Sequence, residues 1–149
     1  MGMSIRELEH PFDEGLRELA ADRPKRALVF FAKAAAEDNS PLVRSYIAYC
    51  RAMTDGIYAD VIATCQDARR EEPKNSDIYL NLGRIHLLAG KRKQAIQVFR
   101  LGLRHQRNSR ISAELAAMGM RKHPPLPFLH RNNPVNKYLG MLMARLCLR

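Results

Sequence analysis

The sequence predicts an all-α fold of stacked helical hairpins, a solenoid closed by a terminal cap, on three observations. A segment recurs with a period of 34 residues, apolar residues fall at helical and never at alternating spacing, and proline and glycine punctuate successive repeats at matching places. The 149 residues are 46% hydrophobic and 27% charged, a globular composition with enough apolar chain to bury a core.

The repeat is ungapped. Gly56 to Cys65 aligns on Gly90 to Phe99, and one further step of 34 back places Ala27, Leu28 and Phe31 on the positions of Val61, Ile62 and Cys65. Three units of equal length follow, 8–41, 42–75 and 76–109.

Each unit divides into two helices. In the first, Arg23–Pro24 opens the second helix, with proline at the first helical position. In the middle unit Ser40–Pro41 supplies N-cap and first residue, and Gly56 and Pro73 mark turns. In the third, Ser76 is the expected N-cap, Tyr79, Leu82 and Ile85 recur at helical spacing, and Gly90 ends the helix. A second helix from about Lys91 to Gln106 buries Ala95, Ile96, Phe99 and Leu103 along one face.

These residues resemble the tetratricopeptide repeat family. The third unit is nearest its pattern, with Tyr79, Leu82–Gly83, Gly90, Ala95–Ile96, Phe99 and Gly102 in place, His86 where tyrosine is usual, and Arg107 where proline is usual. The middle unit keeps Gly56, Tyr58, Val61, Cys65, Ala68 and Pro73, and the first keeps Gly15, Ala27, Phe31 and Ala34. Small residues at these points let helices approach closely, and the aromatic residues fill the gaps between hairpins.

Past the repeats, 110–122 reads as one more helix in phase, with Ile111, Leu115 and Met118 on one side, so a fourth repeat begins. Pro124, Pro125 and Pro127 forbid its partner, and 123–133 is expected to be an extended linker. Asn133–Pro134 restarts a capping helix over 134–149, and residues 1–7 form a leader. The stretch from Pro124 to Gly140 also resembles the tail of small bacterial members of the family.

Charge is unevenly distributed. The chain carries 25 lysines and arginines against 15 acidic residues, for a formal charge of +10. Residues 1–99 hold 15 basic and 14 acidic side chains, whereas 100–149 hold 10 basic and one acidic, Glu114. Lys91, Arg92, Lys93, Arg100, Arg104, Arg107 and Arg110 are expected to form a basic outer surface on and after the third repeat. Such a surface suits an acidic partner; nucleic acid or an anionic membrane is the alternative, although no aromatic residue interleaves for base stacking.

Catalytic patterns are missing from the sequence. The five histidines form no HExxH pair, no glycine-rich phosphate loop or GxSxG elbow occurs, and no CxxC pair offers a metal site. Hence neither enzyme activity nor a cofactor or metal is expected. Cys50, Cys65 and Cys147 are widely spaced, no signal core precedes the first unit and no apolar run approaches a membrane span, which together place the chain in the cytoplasm.

In the family that these repeats resemble, the first helix of each hairpin lines a concave groove that holds a segment of another protein. The resemblance assigns that lining to Phe12, Leu16, Leu19, Val43, Tyr46, Cys50, Met53, Leu80, Arg84 and Leu87. A mostly apolar strip of this size calls for a cover, either a partner peptide or helix or the chain's own C-terminal tail. A lysine-rich clamp for acidic peptide ends is not expected, because its positions hold Phe12, Leu16, Ile47, Asp77 and Asn81. Pro124–Pro125–Leu126–Pro127–Phe128–Leu129 nearly matches the P-x-L-x-x-P client segments of the three-repeat chaperones of type III secretion, which the chain more loosely resembles, and this similarity suggests a self-docked tail as readily as a chaperone role.

Overall fold

The computed structural model describes residues 10–119. They form seven helices and, among the described residues, no strand: α1 (Pro11–Ala20), α2 (Pro24–Glu37), α3 (Pro41–Asp55), α4 (Ala59–Glu71), α5 (Ser76–Leu88), α6 (Arg92–His105) and α7 (Ser109–Ala117). The chain divides into two compact units, Met1–Leu115 and Ala116–Arg149, and the packing described below is that of the first. The expected leader, the proline-rich segment, the capping helix and Cys147 lie outside the described residues.

Local chemistry sets the helix ends. Proline opens α1, α2 and α3 at the first turn, where its missing N–H costs nothing. Gly56 and Gly90 leave α3 and α5 at φ of 66° and 71°, a left-handed conformation that residues with a Cβ adopt at a cost. Two boundaries differ from expectation. Asn75, not Ser76, caps α5, its Oδ1 accepting from the Asp77 N–H at 3.2 Å, because Ser76 is already inside the helix with its hydroxyl bonded to Gln106 at 3.1 Å. Likewise α7 ends at Ala117, short of 122, where a turn leads to Gly119 at φ 59°.

Packing explains the repeat of glycines and aromatics. A Cβ on Gly83 would stand 2.2 Å from Phe99 Cε1, and one on Gly15 would stand 2.6 Å from the same atom of Phe31. Each glycine therefore lets the ring of the following helix lie on its own backbone in the first and third hairpins, whereas the middle hairpin holds Tyr49 and Cys65 at the corresponding positions. Gly102 on α6 is packed as closely, since its Cβ would meet Tyr79 Cβ of α5 at 2.7 Å and Ile111 Cδ1 of α7 at 3.0 Å. Phe31 and Phe99 are fully buried, and Phe31 stacks on Tyr46 with centroids 5.1 Å apart.

Buried polar groups tie neighbouring hairpins in register. Asn81 Nδ2 donates to Ser45 Oγ at 3.0 Å, and Ser45 donates onward to the Leu42 carbonyl at 2.7 Å, so α5 is bonded into α3 through the core. Tyr79 donates to the Pro73 carbonyl at 2.7 Å and fixes the α4–α5 turn. Cys50 and Cys65 are buried, and burial pushes both thiols up to about 12, far from the reactive thiolate.

His86 stands where the repeat pattern usually has tyrosine. It is buried, its Nδ1 has no hydrogen-bond partner among the described residues, and burial, then the nearby Lys91, pulls its pKa below the ordinary 6.5. Below pH 6.5 the unfolded chain protonates this imidazole before the folded one does. Stability from the group is therefore complete above that pH and is lost as pH falls. Wild type should lose up to ~1.4 kcal/mol per pH unit more than His86→Gln between pH 6.5 and the folded pKa, read from denaturation midpoints. Equal pH dependence in the two proteins would contradict this.

Candidate functional site

Odd-numbered helices build one face of the array, and a cavity of about 470 Å³ opens on it. Its lining comes from α1 (Leu16, Leu19, Ala20), the following turn (Asp22), α3 (Tyr46, Tyr49, Met53), α5 (Arg84) and α7 (Arg110, Glu114). Leu16, Leu19, Tyr49 and Met53 are each half-buried, so they offer apolar surface without belonging wholly to the core.

The far wall is polar and pre-organised. Arg84 Nε donates to Glu114 Oε1 at 2.6 Å, with both side chains 25% exposed, and its guanidinium lies 5.5 Å from the Tyr49 ring centroid. Arg110 donates to Asp77 Oδ1 at 2.8 Å and to the Tyr46 hydroxyl at 3.3 Å. Asn108 caps α7 by accepting from the Arg110 and Ile111 N–H groups, while its amide donates to Asp77 at 2.7 Å and to Ser76 at 3.0 Å. The first residues of α7 are thus held by side chains of α5 and α3, with Ile111 and Leu115 buried beneath them. Burial raises the pKa values of Tyr46 and Tyr49, so both hydroxyls stay protonated at neutral pH.

The structure sorts the expected lining residues. Leu16, Leu19, Tyr46, Met53 and Arg84 meet at the cavity, although Tyr46 is 1% exposed and contributes mainly its hydroxyl end to the floor. Cys50 and Leu80 are not lining residues but core, both at 0% exposure, because each odd-numbered helix packs against its own hairpin partner and the neighbouring hairpin at once. Phe12 is half-buried against Phe31 and Tyr46, with centroids 5.6 and 5.4 Å away, and with buried Val43 it edges a separate pocket of about 200 Å³. Leu87 is half-buried and does not line the cavity. The strip is therefore less apolar than expected: Asp22, Arg110 and Glu114 share it, together with Tyr49.

The basic residues are likewise divided. Lys91, Arg92, Lys93, Arg100 and Arg104 are exposed on α6 or at its start, and three of them crowd a first turn that holds no acid, against the helix dipole. Arg107 lies beyond the end of α6, because Gln106 turns extended at φ −153°, ψ 141°. That break resets the helical phase, so Arg110 does not continue the outer row but points into the Asp77 and Tyr46 network.

Among the described residues no group of three or more histidine, cysteine, aspartate or glutamate side chains is placed to hold a metal ion. No helix among them is long and apolar enough to cross a membrane.

Hairpins stacked at a regular spacing, with glycine–aromatic contacts inside and a lined cavity on one face, define an all-α helical-repeat scaffold. The family model described as tetratricopeptide repeat matches residues 52–118, from the end of α3 to the turn after α7, and the array is a tetratricopeptide repeat solenoid. Repeats of this family generally mediate protein–protein interaction and are typically non-catalytic. No curated protein and no solved structure matches the chain.

Proposed function

We propose that the chain is a non-catalytic adaptor or chaperone-like module that holds a segment of another protein on the face formed by α1, α3, α5 and α7. The supporting observation is the cavity on that face, where half-buried Leu16, Leu19 and Met53 stand opposite a fixed polar wall. Apolar side chains that are only partly covered gain by being covered further, at roughly 25 cal/mol per Å² removed from water. The polar wall costs little to order on binding because Arg84, Arg110 and Asn108 are already held by Glu114, Asp77 and Ser76. An extended or helical segment fits such a face better than a small substrate, since no nucleophile, base and oxyanion donors converge there.

The test compares affinity capture by wild type and by Leu19→Gln, with partners identified by mass spectrometry. Leu19 is at the rim of the core, so the variant should keep its helix content while the captured partner falls by about tenfold or more. Undiminished capture would move the binding surface elsewhere.

A further inference from the structure

We propose that the partner segment carries a basic side chain beside an apolar one, the basic group entering the cavity between Asp22 and Glu114 next to Tyr49. The inference rests on the odd-helix face being the binding surface and adds which chemistry it selects.

Charge pairing within the cavity carries the argument. Both arginines that line it are already matched, Arg84 by Glu114 and Arg110 by Asp77. Asp22 is exposed on the lining and makes no ion pair among the described residues, and Glu114 meets Arg84 through Oε1 alone. Unmatched charge on this surface is therefore negative, although the chain as a whole is +10. Asp22 and Glu114 line the cavity together with Tyr49, whose ring already faces the Arg84 guanidinium.

A lysine or arginine placed there completes the pairing and finds an aromatic neighbour that already accommodates one guanidinium. An entering carboxylate would face the unmatched Asp22, with both arginines neutralised by Glu114 and Asp77. The apolar companion rests on Leu16, Leu19 and Met53, which fill the rest of the rim. The positive remainder of the molecule makes this preference local, so a partner is selected by where its charge falls and not by its net charge.

Asp22→Asn is the discriminating variant. Asp22 sits at φ 56°, in the left-handed region that asparagine tolerates at least as well, so the substitution removes the charge and keeps the turn. Three short synthetic peptides serve as probes, leucine alternating with lysine, with glutamine or with glutamate, measured by fluorescence anisotropy on the full chain. Asp22→Asn should weaken the leucine–lysine peptide by about two- to fivefold and leave the leucine–glutamine peptide unchanged, with the difference narrowing at high salt. Leu19→Gln should weaken both.

Unchanged leucine–lysine affinity in Asp22→Asn would overturn the proposed selectivity, as would a leucine–glutamate peptide that binds more tightly and depends on Leu19. If Leu19→Gln affects none of the peptides, the binding face itself is wrong, which separates the two failures. Self-association that is lost in Leu19→Gln would make a second copy of the chain the occupant and would also overturn the proposal.

Discussion

Gly83→Leu is expected to lower the stability of the array by about 3 kcal/mol. The Cβ alone would lie 2.2 Å from Phe99 Cε1 and 2.5 Å from Cδ1, and the ring cannot swing clear because it is itself fully buried. At an exposed helical site the same change would stabilise by roughly 0.8–1 kcal/mol through helix propensity, so the sign of the effect is diagnostic. Combining it with Phe99→Ala should give a loss at least ~1 kcal/mol smaller than the sum of the single losses, because the clash disappears with the ring. Urea denaturation midpoints measure both quantities. Additive losses would mean that the two residues do not share one contact.

Phe31→Ala should cost about 3–5 kcal/mol, the largest effect of any single core truncation in the first hairpin. The ring is fully buried, covers Gly15 and joins an aromatic trio with Tyr46 at 5.1 Å and Phe12 at 5.6 Å. Such ring pairs contribute roughly 0.5–1.5 kcal/mol beyond area burial. Tyr46 also accepts from Arg110 at the cavity floor, so removing the ring beneath it loosens the polar wall. Capture of a partner should therefore fall in Phe31→Ala even at temperatures where circular dichroism reports a folded chain. A loss below ~1 kcal/mol would show that the first hairpin is not packed in this way.

Much of this architecture is legible in the amino-acid sequence. Gly83 with Phe99 and Gly15 with Phe31 keep one spacing in the third and first hairpins, since a ring can lie on a helix backbone only where no Cβ intervenes, and the middle hairpin departs from it with Tyr49 and Cys65. The cavity is harder to read. Periodicity locates an apolar face but does not say whether the next hairpin covers it, and so Cys50 and Leu80 look like lining residues when they are core.

Arg110 and Glu114 escape sequence reasoning for a different reason. Grouping Arg110 with Arg100, Arg104 and Arg107 as one outer surface ignores the helix end between them, where the extended Gln106 restarts the phase and both Arg110 and Glu114 pair with side chains of α5. A local signal exists, because Asn108 followed by Ser109 is a good N-cap and start for a new helix. Asp22 can be placed in a turn from its neighbours, but its position on the cavity rim depends on how α1 meets α3, which no local pattern encodes.

Site-specific photo-cross-linking tests the central claim most directly. A photoreactive amino acid is placed singly at Leu19 or Met53 on the odd-helix face, or at Val29 or Lys93, which are exposed on α2 and α6. After irradiation in extract of the source cell, peptide mapping should find one and the same partner segment joined to Leu19 and to Met53, and not to Val29 or Lys93. A partner segment that cross-links through Val29 or Lys93 and never through Leu19 or Met53 would contradict the assignment of this face as the binding surface.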